Sequence, residues 1–308
     1  MSKDYKISIV VPIMNEEGNI DILIKKINDV MSNHDWEVLF VDDGSKDKTF
    51  DVIKGQAALN KKIKYISFSR NFGHQNALRA GFDFADGNCV ICMDGDMQHP
   101  PELIPQMIDK WQEGYDIVYT IRNDDPRTSF MKRKTAAIFY GIMNKFSDIK
   151  IDQGAADFRL VDRKVADVIK TIREENLFMR GMISWLGFKQ YGIKYNPEER
   201  HWGKTKYTFK KMVKFAIAGI TSFSVRPLHM STICGYIIAF FAFLYALYAV
   251  FVRLFTENTV SGWTSVLVAV LFIGGIQLIS IGILGEYLGK LFMESKKRPS
   301  YIIREKNV

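Results

Sequence analysis

Two stretches of this chain have no place in a small water-soluble core. Residues 231–252 and 263–285 carry no charged side chain. Each exceeds the ~20 apolar residues that carry a helix across the hydrocarbon of a bilayer. Residues 253–262 between them are too few to fold on their own, so the two spans predict a membrane hairpin. Its outer ends are basic: Lys206, Lys210, Lys211, Lys214 and Arg226 come before it, and Lys290, Lys296, Lys297, Arg298 and Arg304 after it. Positive charge stays on the cytoplasmic side of such spans. Both termini and the first domain are therefore expected at the cytoplasmic face of a bacterial inner membrane. Residues 208–222 alternate Lys210, Lys211 and Lys214 with Met212, Val213, Phe215, Ile217 and Ile220. That pattern reads as a helix lying in the interface, with an ordinary core-facing helix as the alternative. Gly274, Gly275, Gly282, Gly285 and Gly289 permit close helix packing, within the hairpin or between copies of a homo-oligomer. The expected division is a first domain over 1–207, an interfacial segment over 208–228, the hairpin over 229–289 and a basic tail over 290–308.

The first domain is of another character. Strand-like runs alternate with helical periodicity: strands at 7–13, 36–41, 63–68, 89–93 and 116–120, with helices at 20–27, 49–59, 73–84 and 103–111 between them. This alternation predicts an α/β fold with a doubly wound, mostly parallel sheet. Ala77, Ala80 and Gly81 are small packing positions on the third helix. Residues 131–146 read as a long helix that starts basic, 176–186 as a helix and 188–195 as a strand. Cys89 and Cys92 form a C-x-x-C, but residues three apart on a strand face opposite ways. Buried thiols are expected there, with no redox pair and no zinc site. The net charge of +8, concentrated beside the hairpin, suits an anionic membrane surface and phosphate-bearing substrates. Neither zinc-finger spacing nor a long basic recognition helix supports a nucleic-acid partner.

Two of these strands end in acid. The second runs into Asp42-Asp43-Gly44-Ser45, the fourth into Asp94-Gly95-Asp96-Met97-Gln98-His99-Pro100-Pro101. The prolines stop that strand and open a helix. Ligands bind outside the carboxyl ends of the strands of such a sheet. Asp-x-Asp offers hard oxygen ligands suited to Mg²⁺ or Mn²⁺ holding a diphosphate; the same residues also make ordinary polar turns. Two later stretches fit phosphate or ligand contact. Residues 152–160 carry small residues followed by Asp157, and Arg200-His201-Trp202-Gly203-Lys204-Thr205-Lys206 is a basic loop. The loop suits phosphate oxygens but also fits a charged linker before a membrane span.

Taken together, Ser8-Ile9-Val10-Val11-Pro12-Ile13-Met14-Asn15-Glu16-Glu17, Val41-Asp42-Asp43-Gly44-Ser45 and Met93-Asp94-Gly95-Asp96-Met97-Gln98-His99-Pro100 resemble the family-2 inverting glycosyltransferases of GT-A fold. Within that family the chain is similar to the polyprenyl-phosphate glycosyltransferases related to dolichyl-phosphate mannose synthase. The likeness is greatest to the bacterial and phage type that carries a two-helix hairpin. The resemblance implies that Pro12, Asn15 and Glu17 line the nucleotide pocket and that Asp42 binds the uracil or ribose end. Asp94, Asp96 and Gln98 match the metal and diphosphate motif. Arg200 and Lys206 match a basic loop that closes on the diphosphate and the lipid phosphate. Asp157 falls at the acceptor-side acidic position. Processive members carry Gln-x-x-Arg-Trp, whereas here Pro197 stands three before Arg200 and His201 follows it, which argues against a polymerase.

The implied reaction moves a sugar from a UDP-sugar to undecaprenyl phosphate with inversion, assisted by Mg²⁺ or Mn²⁺. Glucose or N-acetylglucosamine is favoured over mannose, and the product is a lipid-linked donor for cell-envelope glycosylation. The rivals are a processive membrane glycan synthase, a non-catalytic nucleotide-sugar-binding scaffold and a nucleotidyltransferase on a similar sheet. The acceptor phosphate has a second pKa near ~6 and is already a nucleophile at neutral pH. Asp157 is therefore expected to contribute to rate by orienting the acceptor more than by removing a proton. On this reading, a chain cut before Thr208 is expected to bind nucleotide but to transfer poorly to a long-chain acceptor.

Overall fold

A computed structural model of the protein describes residues 5–123, 154–174, 178–196, 224–255 and 262–308. The basic helix expected at 131–146, the basic loop with Arg200 and Lys206, and the interfacial helix expected at 208–222 lie outside these residues. The apolar runs form β1 (Lys6–Ile13), β2 (Asp35–Asp42), β3 (Ile63–Phe68), β4 (Cys89–Cys92) and β5 (Ile117–Arg122). Between them lie α1 (Ile20–Val30), α2 (Thr49–Leu59), α3 (His74–Phe84) and α4 (Ile104–Gln112). There follow β6 (Ala155–Asp162), α5 (Arg163–Thr171), α6 (Met179–Trp185), β7 (Gln190–Tyr195), the long helices α7 (Arg226–Phe255) and α8 (Trp263–Ser295), and β8 (Ile303–Lys306).

All eight strands form one sheet in the order β7-β5-β6-β4-β1-β2-β3-β8. The pairs β1–β2, β1–β4, β2–β3 and β5–β7 are parallel. The sheet is mixed, because β6 runs antiparallel between β4 and β5 and β8 runs antiparallel on the edge of β3. Neither of these strands was expected. The small residues of β6 conceal a strand whose Phe158, Leu160 and Val161 are fully buried. In β8, exposed Arg304 and Lys306 alternate with half-buried Ile303 and Glu305, as on a strand with one face to water.

Alternation along the strands builds a core on each side of the sheet. Ile7, Ile9, Val11 and Ile13 pack with Ile20, Leu23 and Ile27 of α1 on one face. Val10 points to the other, with Ala77 and Ala80 of α3. Each fully buried Val, Leu or Ile side chain stabilises by roughly 1.5–3 kcal/mol. Cys89 and Cys92 fall into opposite cores, both buried and free, and burial pushes both thiols up.

The spans Arg226–Val252 and Val268–Ser295 are long and apolar enough to cross a membrane, and neither is buried by the protein. Large apolar side chains, Phe240, Phe251, Phe272 and Leu278 among them, stand well exposed along them. That much contiguous apolar surface marks a membrane-facing element. The two helices meet at a Ser231–Ser280 hydroxyl pair, 2.6 Å apart, and the Tyr287 hydroxyl donates to the Ser224 carbonyl at 2.6 Å.

The residues beyond α8 fold back on the first domain. Tyr301 stacks on Phe68 with ring centroids 5.0 Å apart, and its hydroxyl donates to Asp83 at 2.6 Å. β8 then pairs with β3. A cut before Thr208 thus removes a strand of the sheet as well as the hairpin and bares the β3 edge, a cost for which the expectation of a nucleotide-binding fragment made no allowance.

Helix α3 packs tightly on β1 at Gly81, where an added Cβ would lie 2.0 Å from a Val10 methyl. Alanine is the better helix former by about 1 kcal/mol, yet Gly81→Ala must push α3 off β1. The variant is expected to lose about 1–3 kcal/mol, read as a lower melting temperature of the full chain in detergent.

Candidate active site

The order of strands reverses between β1 and β4, since β2 and β3 lie to one side of β1 and β4 to the other. A crevice opens at such a reversal. Both acidic turns reach it from backbone bonds to β1: the Asp43 N–H donates to the Ile13 carbonyl at 2.9 Å and the Met93 N–H to the Val10 carbonyl at 3.1 Å. A Cβ on Gly95 would touch Ile13 at 3.2 Å, so the Asp94–Asp96 turn lies directly against the end of β1.

On the β2 side, Pro12 is buried within β1 opposite Val41. Asn15 takes a left-handed φ of 56°, which asparagine tolerates. Its N–H donates to Ser45 Oγ at 3.0 Å, and its side-chain oxygen accepts the Lys46 N–H at 2.8 Å. A Glu17 carboxylate oxygen accepts the Lys48 N–H at 3.0 Å. The Asn15–Glu17 segment therefore holds the turn over residues 44–48. Asp42 has no exposed surface; its oxygens accept the Ser45 N–H at 3.0 Å and the Ser67 hydroxyl at 2.9 Å. Its effect on a ligand must pass through that turn.

Asp43 turns the other way. Its carboxylate accepts the N–H groups of Phe72 (2.6 Å) and Gly73 (3.0 Å). Burial pushes its pKa up, against the pull of those two N–H groups. The bonds fix the start of α3, where Gly73 has a φ of 98°, and direct His74 across the crevice. His74 Nε2 lies 2.8 Å from an Asp94 carboxylate oxygen. Burial works to lower the His74 pKa, but the Asp94 bond and charge outweigh it and hold it raised. Burial likewise works to raise Asp94, and His99 and His74 hold it below its ordinary value. His99 Nδ1 accepts the Asp94 N–H at 2.9 Å, and its ring stacks on Phe158 with centroids 5.3 Å apart. Beyond Asp94, an Asp96 oxygen accepts the Gln98 N–H at 3.1 Å. Met97 is buried with a φ of 64°, a strained conformation for a side chain without Asn-like tolerance.

On the β6 side, Cys92 pairs with Arg159, which sets the start of β6 beside the end of β4. Asp157 is buried there and takes a two-pronged ion pair from Arg180 of α6, Nε at 2.7 Å and Nη2 at 2.8 Å. Arg159 stands 3.8 Å away. Burial works to raise Asp157, and the two guanidiniums together hold it far below the usual carboxylate range. Tyr195 closes this side; burial first, and then the Asp94 and Asp96 charges, push its hydroxyl up to about 12.

Asp94, Asp96, Gln98 and Asp157 thus come together, with Asn15, Glu17 and Asp42 behind the neighbouring turn. Sequence reasoning missed His74 and Arg180. His74 follows a strand end as the acidic turns do, which was the available signal. Arg180 sits on a helix read for its apolar side alone. Among the described residues no three His, Cys, Asp or Glu side chains form a complete metal site. Asp94, Asp96 and Gln98 carry oxygens of the hard type that suits an ion shared with a diphosphate.

Residues 8–169 match the family described as Glycosyl transferase family 2. The chain belongs to that family. This glycosyltransferase is 44% identical over 301 residues to the prophage bactoprenol glucosyl transferase homolog of Escherichia coli (strain K12), covering 97% of this chain and 98% of the relative. It is also 44% identical to the bactoprenol glucosyl transferase of Shigella phage SfV, with the same coverage. Among solved structures it resembles mannosyl-3-phosphoglycerate synthase from Rubrobacter xylanophilus, with a TM-score of 0.50 and 14% identity over 70% of this chain and 71% of the other. That is a likeness of fold, the GT-A arrangement expected.

The His74–Asp94 pair gives the glycosyltransferase a pH dependence. A histidine raised above its unfolded value contributes stability that is complete below that value, 6.5, and lost as pH rises through the folded value. The wild-type melting temperature is expected to fall as pH is raised above 6.5 relative to that of His74→Gln, measured in parallel by thermal unfolding.

Proposed function

We propose that the protein transfers glucose from UDP-glucose to the phosphate of a polyprenyl phosphate, undecaprenyl phosphate in a bacterium, at the cytoplasmic face of the membrane. The observation that carries this reading is the 44% identity, over nearly the whole of both chains, to bactoprenol glucosyl transferases. The two exposed apolar helices support it, since a prenyl chain stays in the bilayer and presents only its phosphate to a domain held at the surface. Homo-oligomerisation through the glycines of the second span belongs to the same proposal.

In this reading the nucleotide lies against the 44–48 turn braced by Asn15 and Glu17, and the diphosphate lies over Asp94, Asp96 and Gln98. A divalent ion bound there supplies positive charge to the leaving diphosphate. The acceptor phosphate oxygen attacks the anomeric carbon opposite the leaving group. The bond to the diphosphate breaks, UDP departs, and an α-linked donor gives a β-linked lipid phosphosugar. Arg180 meets the acceptor phosphate, held in place by Asp157. A carboxylate so far below its ordinary range is a weak base, and a dianionic phosphate needs none. Asp157 therefore orients, and its charge keeps Arg180 where it is. Arg200 and Lys206 complete the proposal as the loop that closes on the phosphates.

Membranes containing the protein, incubated with a panel of nucleotide sugars and undecaprenyl phosphate, are expected to form a single-sugar lipid from UDP-glucose, identified by mass. A ladder of longer glycans would point to the processive rival, and absence of transfer from every donor to the scaffold. Asp96→Asn is expected to lower kcat by on the order of 100-fold or more and Asp157→Asn by about tenfold. Steady-state kinetics on variants checked by thermal unfolding reads the difference. Equal loss in both, with donor and acceptor affinity retained, would restore Asp157 as a required base.

A further inference from the structure

The residues returning from the membrane hairpin reach the donor end of the site. β8 covers the edge of β3, and within it Arg304 donates from Nη2 to Ser67 Oγ at 3.0 Å. Ser67 is fully buried and donates in turn to Asp42 Oδ2 at 2.9 Å. The other oxygen of Asp42 accepts the Ser45 N–H. Arg304 donates to Ser67 and Ser67 to Asp42, so the guanidinium polarises the Ser67 hydroxyl toward the carboxylate that also accepts the Ser45 N–H. The Arg304 guanidinium also lies 5.0 Å from the centre of the Phe50 ring, at the start of the helix that follows the same turn. A second link runs beside it: the Ser69 N–H donates to the Ile302 carbonyl at 3.0 Å, just before the loop whose Gly73 and His74 enter the crevice.

We propose that Arg304 is a positioning residue for the donor nucleotide. It acts through Ser67 and Asp42 on the turn over residues 44–48, so that the strand behind the membrane hairpin is a working part of the donor site. This rests on the reading above that the turn cradles the nucleotide. An edge strand that merely covered β3 would need no guanidinium on Ser67, because its backbone pairing and the Tyr301 contacts with Phe68 and Asp83 already hold it.

The test uses the full chain in detergent, with UDP binding by calorimetry in the presence of Mn²⁺ and separate KM values for UDP-glucose and undecaprenyl phosphate. Arg304→Met keeps the aliphatic stem and loses the donor. It is expected to raise the UDP Kd and the donor KM about three- to tenfold, with kcat and acceptor KM within about twofold. Arg304→Lys is expected to recover most of the loss. Tyr301→Phe, which loosens the same segment without touching Ser67, is expected to leave the UDP Kd unchanged. Ser67→Ala is expected to reproduce the Arg304→Met effect, and the double variant to add nothing to it, as for two members of one chain of bonds. An unchanged UDP Kd in Arg304→Met overturns the proposal, as does a Tyr301→Phe effect of the same size or full additivity in the double variant. If Asp42→Asn also leaves UDP affinity unchanged, the reading of the turn fails as well; if Asp42→Asn weakens binding while Arg304→Met does not, only the proposal fails.

Discussion

Both acidic turns of the site are held by β1. That strand has a parallel neighbour on each side, and its last carbonyls accept the first N–H groups of the turns that leave those neighbours. A parallel sheet sends all of its strands out on the same side. Asp43 and Asp94 emerge a strand's width to either side of one point because Ile13 and Val10 fix where β2 and β4 stop. Burial of β1 on both faces makes this arrangement rigid, and the strained backbone at Met97 is tolerated on top of it.

That convergence has an electrostatic consequence. Asp94 and Asp157 stand close enough to feel one another, and like charges in a partly dry crevice oppose folding. The chain offsets them with His74 and Arg180, each drawn from a helix whose start is fixed by the same neighbourhood. The Asp43 bonds orient the first turn of α3, and Gln75 accepts the Met179 N–H at 2.9 Å, tying α6 to α3. Arg159, 3.8 Å from Asp157, adds a third positive group on the β6 side.

The sheet and the acidic turns were legible in the sequence because β-branched runs ending in Asp-Gly combinations carry local information. The geometry of a strand over Cys89-Val90-Ile91-Cys92 predicted correctly that the two thiols face opposite ways. β6 was not legible: Gly154-Ala155-Ala156-Asp157 reads as a loop by composition, and only pairing with β4 and β5 makes a strand of it. β8 was hidden for a similar reason, since Ile303-Arg304-Glu305-Lys306 looks like a charged tail until the bare edge of β3 is taken into account. Asp42 shows the limit from the other direction. Its position at a strand end pointed to ligand contact, but whether a carboxylate faces a ligand or the protein's own N–H groups depends on neighbours that come from Ser45 and Ser67. Arg180 depends on an ion pair across 23 residues, which no local pattern encodes.

β8 also bears on how the molecule is made. The strands up to β7 leave the ribosome before the hairpin does, and they can assemble while the edge of β3 is still open. The strand that covers this edge lies beyond both spans, so it arrives only after the apolar helices have been synthesised. Until then the nascent domain carries an unpaired strand edge, the feature through which β proteins associate wrongly. Completion of the sheet therefore waits on residues synthesised after both apolar helices.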